Sequence, residues 1–215
     1  MESYIDYFVN NWQTYLLLVW QHIYISLIAV GIAAGAGIPL GIFCLRFPRL
    51  KTFITTFFGA LRIIPSLAIL TILIPVMGIG VKPALVALTV LAIPPVLIQT
   101  VLGFAKVPDF MIEVAAAMGM DEKRSFYQVQ FPLAMPYIMG GIKMAASEVM
   151  ASAALAAYIG SGGLGVIIYN GISMMKIEYL VIGGFSVALL TLACNMALGK
   201  LEHKWMKYRV ETENS

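Results

Sequence analysis

Two stretches of this chain, residues 23–45 and 63–81, contain no charged side chain. At 1.5 Å of rise per residue each is about long enough to cross the roughly 30 Å hydrocarbon core of a bilayer as one helix. Three further apolar stretches are centred near Leu91, Ala146 and Leu189, so five spans are expected. Composition agrees: of 215 residues, 60% are hydrophobic and only 12% charged, against about a quarter charged in a soluble domain. Mean hydropathy is +0.89. A soluble core of this size would need a polar shell that the chain does not supply, whereas lipid-facing helices need none.

The basic residues set an orientation, because Lys and Arg near span ends stay in the cytoplasm. Arg46, Arg49 and Lys51 follow span one; Lys106, Lys123 and Arg124 lie between spans three and four; Lys200, Lys204, Lys207 and Arg209 follow span five. The alternate connections hold only Lys82 and Lys176. The N-terminus is therefore expected outside and the C-terminus in the cytoplasm of a multi-pass membrane protein. The same bias accounts for the net charge of +3 without a nucleic-acid partner. No positive n-region precedes the first apolar run, so no cleavable signal is expected.

Residues 1–20 mix Tyr4, Tyr7, Phe8, Trp12, Tyr15 and Trp20 with Glu2, Asp6, Asn10, Asn11 and Gln13. This content suits the headgroup layer and reads as an interfacial helix leading into span one; a sixth span is the alternative. The transmembrane domain is expected over residues 21–200 and a cytoplasmic tail over 201–215. Span one, about 21–45, carries Gly31, Gly35, Gly37 and Gly41 at small-xxx-small spacings that admit a close neighbour. Span two, about 55–77, contains Pro65 and Pro75, and span three, about 83–104, contains Pro94 and Pro95. Such prolines free backbone groups that protein neighbours must satisfy, which favours kinked, buried helices.

The longest connection on the basic side, about 106–131, reads as two short helices at an angle: alanine-rich residues through Ala117, a glycine stop at Gly119, and a charged restart from Asp121. Glu113-Val114-Ala115-Ala116-Ala117-Met118-Gly119, nine residues, then Val129-Gln130-Phe131-Pro132 resembles the E-A-A-x-x-x-G-x9-I-x-L-P signature of binding-protein-dependent ABC importer permeases. The spacing from Glu113 through Gly119 to Pro132 matches, while Val114, Val129 and Phe131 are apolar exchanges at non-anchor positions. The runs 61–67, 74–80 and 159–165 are similar to the osmoprotectant branch, whose members import glycine betaine, carnitine and choline. The last run also occurs in methionine-type permeases, so another small solute such as an amino acid stays open.

The resemblance implies an all-α integral membrane protein of the type I ABC importer permease fold, in a bacterial cell membrane. Glu113, Ala115, Ala116, Gly119 and Pro132 would couple it to a dimer of ATPase subunits. ATP and Mg would act on that partner, with no cofactor, catalytic residue or metal site in this chain. A second permease copy or a homologous permease, an external substrate-binding protein and membrane lipid complete the expected partners. The rival class is a secondary transporter, which often shows inverted repeats; no matching halves are visible here.

Charge within a span is expensive and points by default to function. Lys143 and Glu148 lie in span four, about 140° apart around a helix, so each is expected to meet a different neighbour. Glu148 either pairs with a cation such as Arg62 or borders a polar path together with Arg62, Ser66 and Lys143. In that path a carboxylate would favour a cationic solute, and Tyr158 and Tyr169 are cation–π candidates. Gly160 to Gly165 fits G-x-G-x-x-G, but no strand precedes it and Glu178 is too near to serve as the ribose ligand, which excludes a dinucleotide site. These glycines are expected to form a tight external turn whose backbone approaches a symmetry mate or a docked receptor. His22 and His203 are expected at opposite membrane faces, and Cys44 and Cys194 to be packing residues.

Overall fold

The computed structural model describes residues 4–205. Lys207, Arg209 and most of the expected tail lie outside the described residues. Everything described is helix or short connection. The elements are α1 (Tyr4–Arg46), α2 (Pro48–Leu61), α3 (Ser66–Ile72), α4 (Ile74–Met77), α5 (Val81–Ala105), α6 (Asp109–Ala117), α7 (Glu122–Ser125), a π-helical turn (Phe126–Gln130), α8 (Phe131–Ala156), α9 (Gly165–Ser173) and α10 (Ile177–Trp205). Among the described residues four helices are long and apolar enough to cross a membrane, and a pair bent by 90° makes a fifth candidate if its two halves count as one span.

The core is α1, α5 and α8. Leu88, Ala92 and Val96 of α5 are buried between Ile25, Ala29 and Ala33 of α1 and Ala145, Val149 and Ala153 of α8. Small residues set the spacing: a β-carbon on Gly41 would stand 2.7 Å from the β-carbon of Thr100, and one on Gly37 3.0 Å from a methyl of Val96. Two of the four span-one glycines thus bring α1 onto α5. Gly31 and Gly35 face open space instead. Pro94 and Pro95 are buried within α5, in the helix with protein on both flanks.

The structure sharpens the expected elements at three places. The aromatic segment expected to lead into span one is continuous with it, since α1 runs unbroken for 43 residues. Tyr7 and Leu18 pack with Leu164, Ile167 and Ile182, so apolar contacts to α9 and α10 hold these turns in line with the span. Span two is broken: its two halves, 49–61 and 66–77, meet at 90°. Pro65 has no N–H to donate and forces Ile64 out of the helical region. The chain therefore tightens through three-residue turns, in which Arg62, Ile63 and Ile64 donate to the carbonyls of Gly59, Ala60 and Leu61. Pro132 stands in the first turn of α8. The helix passes from α7 through the π-helical turn into α8, and the widened turn just ahead of Pro132 absorbs the hydrogen bond that proline cannot make.

Candidate functional site: a protruding helix pair and a charged seam

At the basic end of the bundle, α6 closes as a Schellman motif. The N–H of Gly119 donates to Ala116 O at 2.9 Å and that of Met120 to Ala115 O at 3.0 Å, with Gly119 at φ +79°. That backbone conformation favours glycine, and the two bonds satisfy carbonyls that would otherwise be orphaned. Asp121 caps α7 by accepting from the backbone N–H of Arg124 at 2.9 Å. The expected helix, glycine stop and charged restart are therefore all present.

Ala115 points inward and is 2% exposed. Glu113, Ala116 and Gly119 face outward, beside Val114 and Met118, which are 51% and 72% exposed. Between α6, α7 and the end of α1 lies a cavity of about 690 Å³, bordered by Arg46, Ala116, Met120, Lys123 and Phe126. Sequence reasoning missed the joint that ties this pair to the spans. Phe126 stacks on Phe104 of α5 with centroids 5.4 Å apart and planes within 6°, and Phe131 of α8 leans on both rings. Three aromatic residues at an element boundary are a weak sequence signal, because only the fold brings Phe104 to the other two.

Deeper in the bundle the charged residues of α8 diverge as their spacing requires. Glu148 meets Arg62 at the break in span two, with Nη2 and Oε2 4.0 Å apart. Lys143 turns the other way and pairs with Glu202 of α10. One turn on, Ser147 accepts from Asn195 Nδ2 at 2.9 Å. Glu148 and Arg62 thus come together, Ser66 opens α3 immediately after the break, and Lys143 belongs to a separate α8–α10 seam. Glu202 and Asn195 were not anticipated, Glu202 because it falls in the charged stretch after the last apolar run.

The glycine run comes close to this chain's own span one. Gly160, Gly162 and Gly163 all have φ between 77° and 80°. The N–H of Gly163 donates to Gln21 Oε1 at 3.1 Å, and buried His22 meets Met150 O through Nε2 at 3.1 Å. A β-carbon on Gly165 would fall 1.9 Å from Ala154 O, so α9 folds directly against the end of α8. Tyr158 and Tyr169 lie against each other at 5.4 Å. Tyr158 is ten residues, about 15 Å of helix, beyond Glu148, which places it at the mouth of the bundle rather than beside the carboxylate. His203 lies in the last turn of α10, at the other end of the bundle from His22. Cys44 is a buried packing residue beside Leu97 and Val101.

A broken second span, a capped helix pair projecting from the basic end, and three close-packed core helices form one architecture. Residues 37–206 match the family model described as binding-protein-dependent transport system inner membrane component. The chain belongs to that family. It is a permease subunit of an ABC transporter, a transport component rather than an enzyme. Among similar curated proteins, the carnitine transport permease protein OpuCB of Listeria monocytogenes is 37% identical over 204 residues, covering 95% of this chain and 94% of that one. The glycine betaine/carnitine/choline transport system permease protein OpuCB of Bacillus subtilis is 33% identical over the same shares. Among solved structures, a chain of an amino acid ABC transporter aligns with a TM-score of 0.77 at 16% identity, over 95% of the permease and 99% of that chain. A chain of the inward-facing MetNI methionine ABC transporter aligns at 0.71 and 22% identity, over 86% and 94%. At those identities the structural likeness establishes the fold, that of type I importer permeases.

Proposed function

We propose that this permease imports quaternary-amine osmoprotectants, among them glycine betaine, carnitine and choline, in a bacterial cell membrane. The observation that carries the substrate class is the 37% identity over 95% of the chain to a carnitine permease. Glu148 beside the broken span supports it, since a carboxylate within a span whose side chain is 30% exposed favours a permanent cation. In this reading a dimer of ATPase subunits grips the exposed face of α6 at Glu113, Ala116 and Gly119. ATP with Mg binds to those partners. Ala115 fixes the helix inward, and the Phe104–Phe126–Phe131 stack carries its displacement into α5 and α8 near Pro132. A second permease, identical or homologous, completes the path, and an external binding protein delivers the solute. Arg62, Ser66 and Glu148 line that path; Lys143 braces the seam behind it.

The same reading places the C-terminus in the cytoplasm, where the basic ends of α1, α5 and α10 lie. A reporter fused after Ser215 and active only outside the cytoplasm should stay silent, and activity there would overturn the orientation. For the substrate, the permease is expressed with its partner subunits in a host lacking osmoprotectant uptake. Radiolabelled betaine, carnitine and choline are then offered at high osmolarity. Energy-dependent accumulation of at least one is expected. Uptake of an amino acid such as methionine in place of all three would overturn the proposal.

A further inference from the structure

At the basic end of α10, Met196, Gly199, Lys200, His203 and Lys204 line a shallow groove of about 660 Å³. At about 100° per residue the five fall within about 140° of the helix circumference. Glu202, three residues on from Gly199, borders the stripe at its Gly199 edge and is held by Lys143. Arg62–Glu148 and Lys143–Glu202 are ion pairs of other residues, and neither involves Lys200, His203 or Lys204. Gly199 is what makes the stripe concave. A β-carbon there would find only the Lys143 ammonium nearby, at 3.8 Å, and that ammonium is already paired with Glu202.

The order along the helix is apolar, then small, then basic, with Met196 and Gly199 toward the bilayer interior and Lys200, His203 and Lys204 at the helix end. A phospholipid presents the same order from acyl chain through glycerol to phosphate. Retention of basic residues on one side of the membrane explains their number. It does not explain their alignment on a single stripe with a glycine, beside an acid that Lys143 already neutralises.

We propose that this face of α10 binds the phosphodiester headgroup of an anionic phospholipid in the leaflet where the helix ends. Lys200 and Lys204 supply the charge, His203 a further donor, and Gly199 the space for the glycerol to approach the helix. Juxtamembrane Lys and Arg residues attract anionic headgroups additively, so an anionic lipid seated here would fasten the last span at its basic end. The inference does not depend on the transported solute.

The full chain, purified in neutral detergent, is titrated with phosphatidylglycerol, with phosphatidylcholine of the same acyl length, and with inorganic phosphate, and thermal stabilisation is followed. Saturable stabilisation by phosphatidylglycerol, absent with phosphatidylcholine and with phosphate, is expected. Lys200→Gln with Lys204→Gln should weaken it about thirtyfold, from about fivefold for each lost cation. Gly199→Leu should weaken it with no change of charge, and it keeps the test alive if the double variant fails to fold. Arg49→Gln with Lys106→Gln, which removes two exposed cations elsewhere at the same end of the bundle, should leave it unchanged. Equal stabilisation by phosphatidylcholine would overturn the proposal. So would an equal loss in the Arg49/Lys106 variant, which would mean diffuse surface charge, or full stabilisation by phosphate alone, which would mean a soluble-anion site.

Discussion

Replacing Glu148 with Gln keeps the side-chain volume and removes one charge from a pair separated by 4.0 Å. At that distance two unit charges attract by about 4 kcal/mol in an effective dielectric near 20. The side chains of Arg62 and Glu148 are 40% and 30% exposed, and pairs open to solvent fall to about 1 kcal/mol or less. A coupling of about 1 kcal/mol is therefore expected, small enough for each single variant to insert and fold. The assay is a double-mutant cycle of Glu148→Gln and Arg62→Gln, with unfolding in detergent and betaine uptake measured on the same four proteins. Each single variant should lose about 1 kcal/mol or less and the double variant less than the sum. Uptake should fall in both variants that lack the carboxylate. A coupling indistinguishable from zero would refute the pairing. A measurable coupling with wild-type uptake in Glu148→Gln would refute the path and leave the pair a brace between α8 and the broken span.

Gly119→Asp should abolish ATP-driven uptake at normal membrane levels: the side chain has open space within this chain, yet it strains the left-handed backbone at φ +79° and stands on a surface a partner must approach, and immunoblots of membranes beside uptake assays decide it. Gly165→Ala should cost about 3 kcal/mol or more through overpacking, because the added carbon would sit 1.9 Å from a backbone oxygen; a melting temperature equal to wild type would show that α9 is not seated on α8. Lys143→Met should destabilise by about 3 kcal/mol by stranding the Glu202 carboxylate. Lys143→Met with Glu202→Leu should recover most of that loss, and equal melting temperatures for the single and double variants would contradict the pairing.

The spans were legible because their cause is local. A run without charge announces its solvent, and α5, α8 and α10 follow the apolar stretches of the sequence. The helix pair at Glu113 to Ser125 was legible for a related reason: an alanine-rich segment, Gly119 and Asp121 are stop and start signals that act within four residues. The break in span two was half-legible. Pro65 marks the place, but whether a membrane proline kinks a helix or turns it by 90° depends on what receives the far half. Here that is Ala84, Ala87, Ala156 and Ile159, packed around Leu70. None of those contacts is local in sequence.

The same contrast explains the charged residues of α8. The helical angle between Lys143 and Glu148 is a property of the chain, so divergence could be read from spacing. The partners could not. Arg62 reaches Glu148 because Pro65 stops the helix beside it, and Glu202 reaches Lys143 because α10 packs along α8 with Ser147 and Asn195 in register one turn away. Both acids of this region thereby stand against cations, yet in different settings. The Lys143–Glu202 pair is 29% and 17% exposed and joins two long helices at the basic end. The Arg62–Glu148 pair is more open and joins a long helix to the turn that follows α2. A long helix pinned at two places along another gains little by moving, whereas Arg62 sits in a turn between α2 and a seven-residue α3 that starts after a proline. If one charged contact of this permease is remade during a transport cycle, mechanics as well as exposure assign it to Arg62 and Glu148, with the α8–α10 seam as the fixed frame against which that contact shifts.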